Sequence, residues 1–271
     1  MWRAQLGRGR KGKERCWPAM GMLVVLAMAS AAAQGSPLRA CASDADLPPF
    51  VFTSLAGFAG GAQNTGLAIN VLQRSLMRAG REPAVVERLP WRRCLETVAY
   101  GQRDIAINVP SRELDAKRFL ATDAYAEIHH VYFYSAQKHP GGALLHSSAD
   151  LKRYMVCGLF GSRLDAFGIA QNRQDTGSKN ERNAISKIAE GRCDVFIDIR
   201  EVVDSLSAHD AGLRDLFTMP SIRRLDLPDD VPTGLHFELS RALPDGRYLQ
   251  RSFNATIRDL IRNDEMTRMT P

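Results

Sequence analysis

Aromatic residues make up only 7% of the chain, and no apolar run after residue 33 is long enough to cross a bilayer. There is no Gly-x-Ser-x-Gly elbow, no His-Glu-x-x-His pair and no Walker loop. The common signatures of serine hydrolases, zinc peptidases and P-loop nucleotide enzymes are therefore missing. No Cys-x-x-Cys pair occurs, which removes support for a zinc or thioredoxin-type site. Charge of one sign is also scarce where it would matter. The formal charge of the 271 residues is +6, but residues 1–33 hold six basic residues and one acid, Glu14, leaving 30 basic against 29 acidic residues in the rest. A near-neutral body has no long-range field for a phosphate backbone, so nucleic acid is not expected as a partner. What remains, 45% hydrophobic and 24% charged, is ordinary globular composition for one large or two small domains.

Residues 1–33 read as an address. A basic stretch to Arg15 precedes an apolar run from Met20 to Met28 and small residues to Ala33, with Ala31 and Ala33 forming an A-x-A cleavage site. An uncleaved anchor is the alternative, because no charge occurs between Arg15 and Arg39. Cys41 follows Leu38-Arg39-Ala40, and a charge there spoils a lipobox. The reading is a cleaved signal peptide and an exported, periplasmic body. Cys16 leaves with the signal. Cys41, Cys94, Cys157 and Cys193 remain, an even number that suggests two disulfides in an oxidising compartment. Four cysteines permit three pairings, and four buried free thiols are the alternative.

The body carries one device twice. Cys94-Leu-Glu-Thr-Val-Ala-Tyr-Gly101-Gln-Arg-Asp104-Ile-Ala-Ile-Asn108-Val is matched by Ala184-Ile-Ser-Lys-Ile-Ala-Glu-Gly191-Arg-Cys-Asp194-Val-Phe-Ile-Asp198-Ile. Each has a helix-like stretch, a Gly suited to a left-handed helix end, an Asp three residues on and a short buried strand. Around them, strands are expected over Leu38–Ala42, Pro83–Arg88 and Tyr154–Leu159, and helices over Ala68–Ala79 and Tyr248–Met266. A further helix is expected to start at Phe160-Gly161-Ser162, and a flexible Gly-rich loop spans Gly57 to Gly66. Strand and helix alternate in both halves, which predicts an α/β fold of two similar lobes with mainly parallel sheets.

In such sheets ligands gather outside the carboxyl ends of the strands. That rule selects Asp44 and its neighbours, Trp91, and Asn108 to Arg112 in the first half. It selects Gly161-Ser162-Arg163 and Asp198 in the second. A carboxylate facing a cation suits a zwitterion, and N–H groups at the expected helix start suit a carboxylate. The bland alternatives are core packing for Trp91, capping for Asp44 and Asp198, and a turn for Asn108. His129 and His130 tempt as a metal pair, but on a strand over Glu127–Phe133 they point to opposite faces. No metal or cofactor is expected.

The run Leu38-Arg-Ala-Cys-Ala-Ser-Asp-Ala-Asp-Leu-Pro-Pro-Phe50, then Leu89-Pro-Trp91, Gly101-x-x-Asp104, Thr122-Asp-Ala-Tyr125 and the return segment Thr233–Arg241 resembles the bacterial extracellular solute-binding proteins of family 3. The resemblance spans residues 38–271 and implies a type II periplasmic-binding-protein-like fold, two α/β lobes joined by two crossing strands. The crossings are expected near Phe133–Ser135 and Gly234–Glu238, giving a first lobe of 38–134 plus 235–271 and a second of 135–234. It implies a monomeric receptor, not an enzyme, for a small amino-acid-like solute, with an ABC-transporter permease or a membrane sensor as partner. A dehydratase-like enzyme is the alternative, with Asp44, Asp198 and Glu201 as its only candidate acids. The division implies disulfides within lobes, Cys41 with Cys94 and Cys157 with Cys193. Phe50 of the Pro-Pro-Phe run joins the ligand-binding set of Asp44, Trp91, Asn108, Arg112, Ser162, Arg163 and Asp198. The family's carboxylate-gripping Arg falls here on Asp115 or Ala116, so Arg112 is the favoured cation and Lys117 its rival. Leu47 stands where an aromatic is common, and Asp198 arrives one residue early.

Overall fold

The computed structural model describes residues 36–54, 63–142 and 144–270, so the signal reading and most of the Gly-rich loop lie outside the described residues. The chain opens with β1 (Arg39–Ser43), the short hairpin β2 (Phe52–Ser54) and β3 (Gln63–Thr65), α1 (Leu67–Arg78), β4 (Val85–Leu89), α2 (Trp91–Ala99), β5 (Ile105–Pro110), β6 (Phe119–Ala121) and β7 (Ala126–Ile128). A second group follows: β8 (His130–Ser135), β9 (Val156–Leu159), β10 (Gln174–Ser178), α3 (Glu181–Ala189), β11 (Val195–Ile199), α4 (Arg200–His209), α5 (Ala211–Phe217) and β12 (Ile222–Asp226). The chain then returns through β13 (Thr233–Ser240), α6 (Gly246–Arg262) and α7 (Glu265–Met269). No described helix is long and apolar enough to cross a membrane.

Two large sheets result, one per lobe, beside the two-stranded β2-β3 sheet. The first runs β4-β1-β5-β13-β6, with β7 also pairing β13, and the second runs β10-β9-β11-β8-β12. In each, the first three strands are parallel and the last two lie antiparallel to their neighbours. The chain changes sheet at His129 and again over 227–232. Both changes come earlier than the sequence suggests, because β8 belongs wholly to the second sheet and Gly234 already pairs with β7. The strand expected over Glu127–Phe133 is accordingly broken at His129 into two strands of different sheets.

The repeated Gly-x-x-Asp device has one physical role in both lobes. Gly101 (φ 69°) and Gly191 (φ 75°) take the left-handed conformation just past α2 and α3, which an L side chain resists. Asp104 Oδ2 then accepts the Arg39 N–H at 2.7 Å, and its own N–H donates to Arg39 O at 2.7 Å. Asp194 repeats this on Met155, at 2.9 and 2.8 Å. Each Asp thus ties the entry of β5 or β11 to the start of the neighbouring parallel strand, β1 or β9.

The first core lies between the sheet and helices α1 and α6. Ile69, Leu72 and Leu76 line the inner face of α1, and Leu249, Phe253, Ile257 and Leu260 that of α6, both at helical spacing. The α2 face carries the Cys41–Cys94 disulfide over Val98, Ala106 and Phe119. In the second lobe, alternation along β8 sends Val131 and Phe133 to the α3 and α5 face, beside the Cys157–Cys193 disulfide, and Tyr132 and Tyr134 to the other. Phe50, expected in the binding set, is 2% exposed and packs in the first core.

One core group is a liability with a measurable signature. Glu238 on β13 is fully buried; Oε1 accepts the Asp115 N–H at 3.0 Å, and Oε2 has no partner. Burial, aided by the charge of Asp115, pushes its carboxyl up to about 7. The folded protein therefore holds the proton where the unfolded chain releases it, and stability falls as pH rises from the ordinary glutamate value to about 7. The loss is at most roughly 3 kcal/mol. Glu238→Gln should flatten this part of the profile: in urea unfolding at pH 5 and pH 7.5, the variant should lose less stability between the two than the parent. Equal losses would show that Glu238 ionises freely in the fold.

Candidate functional site

A cavity of about 370 Å³ opens between the lobes, outside the carboxyl ends of β1, β5, β9 and β11. Six of the eight residues selected from the sequence line it: Trp91, Asn108, Arg112, Ser162, Arg163 and Asp198. Phe50 and Asp44 do not. Asp44 is exposed and gives its N–H to Leu89 O at 2.9 Å; the acid at the cavity is Asp46, two residues on. The loop between β1 and the cis Pro48–Pro49 bond is set by Arg88 from β4, which reaches Ser43 O, Ala45 O at 2.7 Å and Asp46 Oδ1 at 3.0 Å.

The remaining first-lobe wall follows from strand ends. Pro90 ends the extended segment after β4, and Trp91 begins α2 with its indole Nε1–H donated to Glu113 Oε2 at 2.7 Å. This places the indole on the cavity, partly buried, rather than in the core. Asn108 has φ 63°, a left-handed value tolerated by Asn, at a bulge where two positions of β5 face one of β13. Its Oδ1 accepts the hydroxyl of the buried Tyr125, whose phenol burial pushes up. Arg112 sits in a short 3-10 turn, Ser111–Glu113, just past β5. Its side chain is exposed on the cavity, and among the described residues no acid pairs with it. Lys117, the rival cation, does not line the cavity.

The second-lobe wall departs from expectation after β9. No α-helix starts at Phe160–Ser162. The chain makes a turn through Gly161 (φ 86°) and then a four-residue 3-10 helix, Leu164–Phe167. Ser162 N–H is already donated to Leu159 O at 3.0 Å, and the Arg163 guanidinium is held by Asp165 at 3.1 Å. The α-helix start expected to present N–H groups there is therefore not formed. Phe160 instead presents an aromatic ring, 85% exposed, at the mouth.

Asp198, at the end of β11, is 8% exposed. Oδ1 accepts the Ile199 N–H at 2.8 Å, while Oδ2 is buried with no partner. Burial and the charge of Glu181 push the carboxyl up to about 8. Glu181 also lines the cavity, and its own carboxyl is raised by burial. Sequence reasoning missed Asp46, Glu113, Phe160, Glu181 and His130. Asp46 had a signal as a neighbour of Asp44, and Glu113 as the residue beside Arg112 past a buried strand. Among the described residues, the one cluster with metal-ligand spacing is Cys157, Asp175 and Cys193; its sulfurs form a disulfide and its carboxylate holds Lys187 Nζ at 2.7 Å. Chemically, the cavity offers a free guanidinium on one wall, an unsatisfied carboxyl on the other, and two aromatic faces.

No protein-family model and no curated protein sequence matches the chain. Solved structures do. An amino acid ABC transporter substrate-binding protein, AbpA of Streptococcus pneumoniae, bound to L-arginine, aligns over 86% of this chain and 92% of its own at 18% identity, with a TM-score of 0.63. The GluR0 ligand-binding core in complex with L-glutamate aligns over 88% and 99% at 15% identity, TM-score 0.63. An ancestral arginine-binding protein bound to glutamine aligns over 87% and 96% at 14% identity, TM-score 0.59. These neighbours are binding proteins. At such identities the likeness is one of fold, and the chain has the two-lobed fold of the amino acid ABC transporter substrate-binding proteins.

Proposed function

We propose that this protein is a periplasmic receptor that binds a small, amino-acid-like zwitterion between its lobes and delivers it to an ABC transporter. The observation that carries the reading is a pair of unpartnered polar groups on opposite walls, the free guanidinium of Arg112 and the Oδ2 of Asp198. A solute with a carboxylate and an ammonium group answers both at once, and Trp91 and Phe160 offer faces to its apolar part. A lobe-to-lobe cavity of about 370 Å³ suits a solute of that size. The signal-like residues 1–33 and the two disulfides support export to an oxidising compartment. A membrane sensor in place of the transporter would use the same site.

Calorimetry with L-arginine, L-glutamine and L-glutamate tests the reading, and binding of at least one is expected. Arg112→Ala should then weaken binding by roughly 2–5 kcal/mol, as for removing one partner of a buried charged pair, while Lys117→Ala leaves it nearly unchanged. The reverse pattern would assign the carboxylate to Lys117.

Affinity should also depend on pH. Asp198 is protonated below about pH 8, and a cation pairs with its ionised form, so each bound solute expels a proton there. Binding should strengthen by about tenfold per pH unit between pH 6 and 8 and level off above. Asp198→Asn should remove that slope. A parent protein with no slope would mean that Asp198 keeps its proton in the complex.

A further inference from the structure

Two neighbouring histidines at the first crossing are each gripped by one carboxylate. His129 donates its backbone N–H to Glu201 Oε2 at 3.0 Å and sets Nδ1 2.8 Å from Oε1. His130 does the same with Asp230, at 2.7 and 2.8 Å. The two rings differ in surroundings. His129 stands half-buried between the sheets. His130 is 7% exposed, forms part of the cavity wall, and lies edge-on to Phe167 at 5.0 Å between ring centroids. Asp230 belongs to the return segment, where Leu227 N–H donates to His130 O at 2.9 Å. The clasp therefore joins the two crossings at the point where the cavity begins.

The clasp also fixes a tautomer. One Asp230 oxygen accepts the backbone N–H, and the other faces Nδ1, which calls for a proton on Nδ1. A neutral imidazole then keeps a bare lone pair on Nε2, and among the described residues Nε2 has no hydrogen-bond partner. The rest of the second-lobe wall, across the strand ends, has the same polarity. Asp198 Oδ2 is unmet, Glu181 adds a second carboxyl, and the charge of Arg163 is taken by Asp165.

Building on the solute-binding reading above, we propose that His130 Nε2 accepts a hydrogen bond from an N–H of the bound solute, with Asp230 as the residue that positions it. The solute class narrows accordingly. Its second-lobe end carries several N–H donors, as an ammonium with a guanidinium or amide does, and not a second carboxylate.

The test uses the full chain with 15N-labelled imidazole rings and the probes L-arginine, L-glutamine and L-glutamate. In the free protein, NMR should place the His130 proton on Nδ1. Asp230→Asn should invert this, because the amide keeps its oxygen on the backbone N–H and turns its NH2 group toward Nδ1. Asp230→Asn and His130→Phe should each weaken binding of L-arginine or L-glutamine by about 10- to 100-fold, the worth of a hydrogen bond to a charged group. His130→Gln, which returns an acceptor near the Nε2 position, should recover part of the loss. L-glutamate should bind more weakly than the other two. If Asp230→Asn fails to fold, His130→Phe decides. A proton on Nε2 in the free parent, or full affinity in His130→Phe, overturns this inference and leaves the receptor reading standing. Tighter binding of L-glutamate overturns the solute class. Binding of none of the three removes the receptor reading, and this inference with it.

Discussion

Residues 233–240 reach the first sheet last and lie in its middle. β13 pairs with β5 on one side and with β6 and β7 on the other, so without it β4-β1-β5 has no bond to the remaining strands. Its inner face supplies Leu235, Phe237 and Leu239 to the core. Its other face braces the first wall of the cavity. Ser111 Oγ lies 2.9 Å from His236 Nε2 and donates toward Gly234 O, which anchors the turn that carries Arg112 and Glu113. The bulge that gives Asn108 its conformation forms against the same strand. The first wall of the cavity thus depends on contacts between residues more than a hundred positions apart, such as Asp115 with Glu238, 123 apart. Contacts of that range form late and slowly in folding.

The second lobe is free of that dependence, since all its strands come from 130–226. Yet the two sheets share one strand order and one pattern of directions, and in each the fourth strand is the segment that has just arrived from the other lobe. Each disulfide stays within a lobe, and among the described residues the crossings at His129 and 227–232 are the only covalent links between them. Each wall of the cavity is therefore a rigid strand end, and the joint between walls is short.

The fold was legible because its signals are local. Gly101-x-x-Asp104 and Gly191-x-x-Asp194 each combine a helix stop, a strand anchor and a buried strand within a few residues, and the backbone needs all three. The lining of the candidate site was legible only where strand ends dictate it, as for Trp91, Arg112 and Asp198. Asp44 failed because one residue in an irregular loop decides which acid faces inward, and Arg88, forty-two positions from Asp46, makes that decision. Phe50 failed because a Phe after two prolines reads the same whether it faces a core or a ligand. The expected helix after β9 failed because Ser162 closes a turn onto Leu159, a choice invisible in the Gly-Ser pair itself. His130 was hidden for another reason. The break at His129 places the two histidines in different environments, and nothing in Ile-His-His-Val marks a change of sheet.

The chain holds three tryptophans, and Trp2 and Trp17 both fall within the signal-like residues 1–33. A processed protein would keep one indole, Trp91, and that indole lies on the cavity with its N–H on Glu113. Its emission would then come from a single position, with no background from other tryptophans to subtract. A carboxylate 2.7 Å from the indole nitrogen makes that emission sensitive to any charge that enters beside it. The protein would carry its own optical gauge, one that reports occupancy of the cavity without a label.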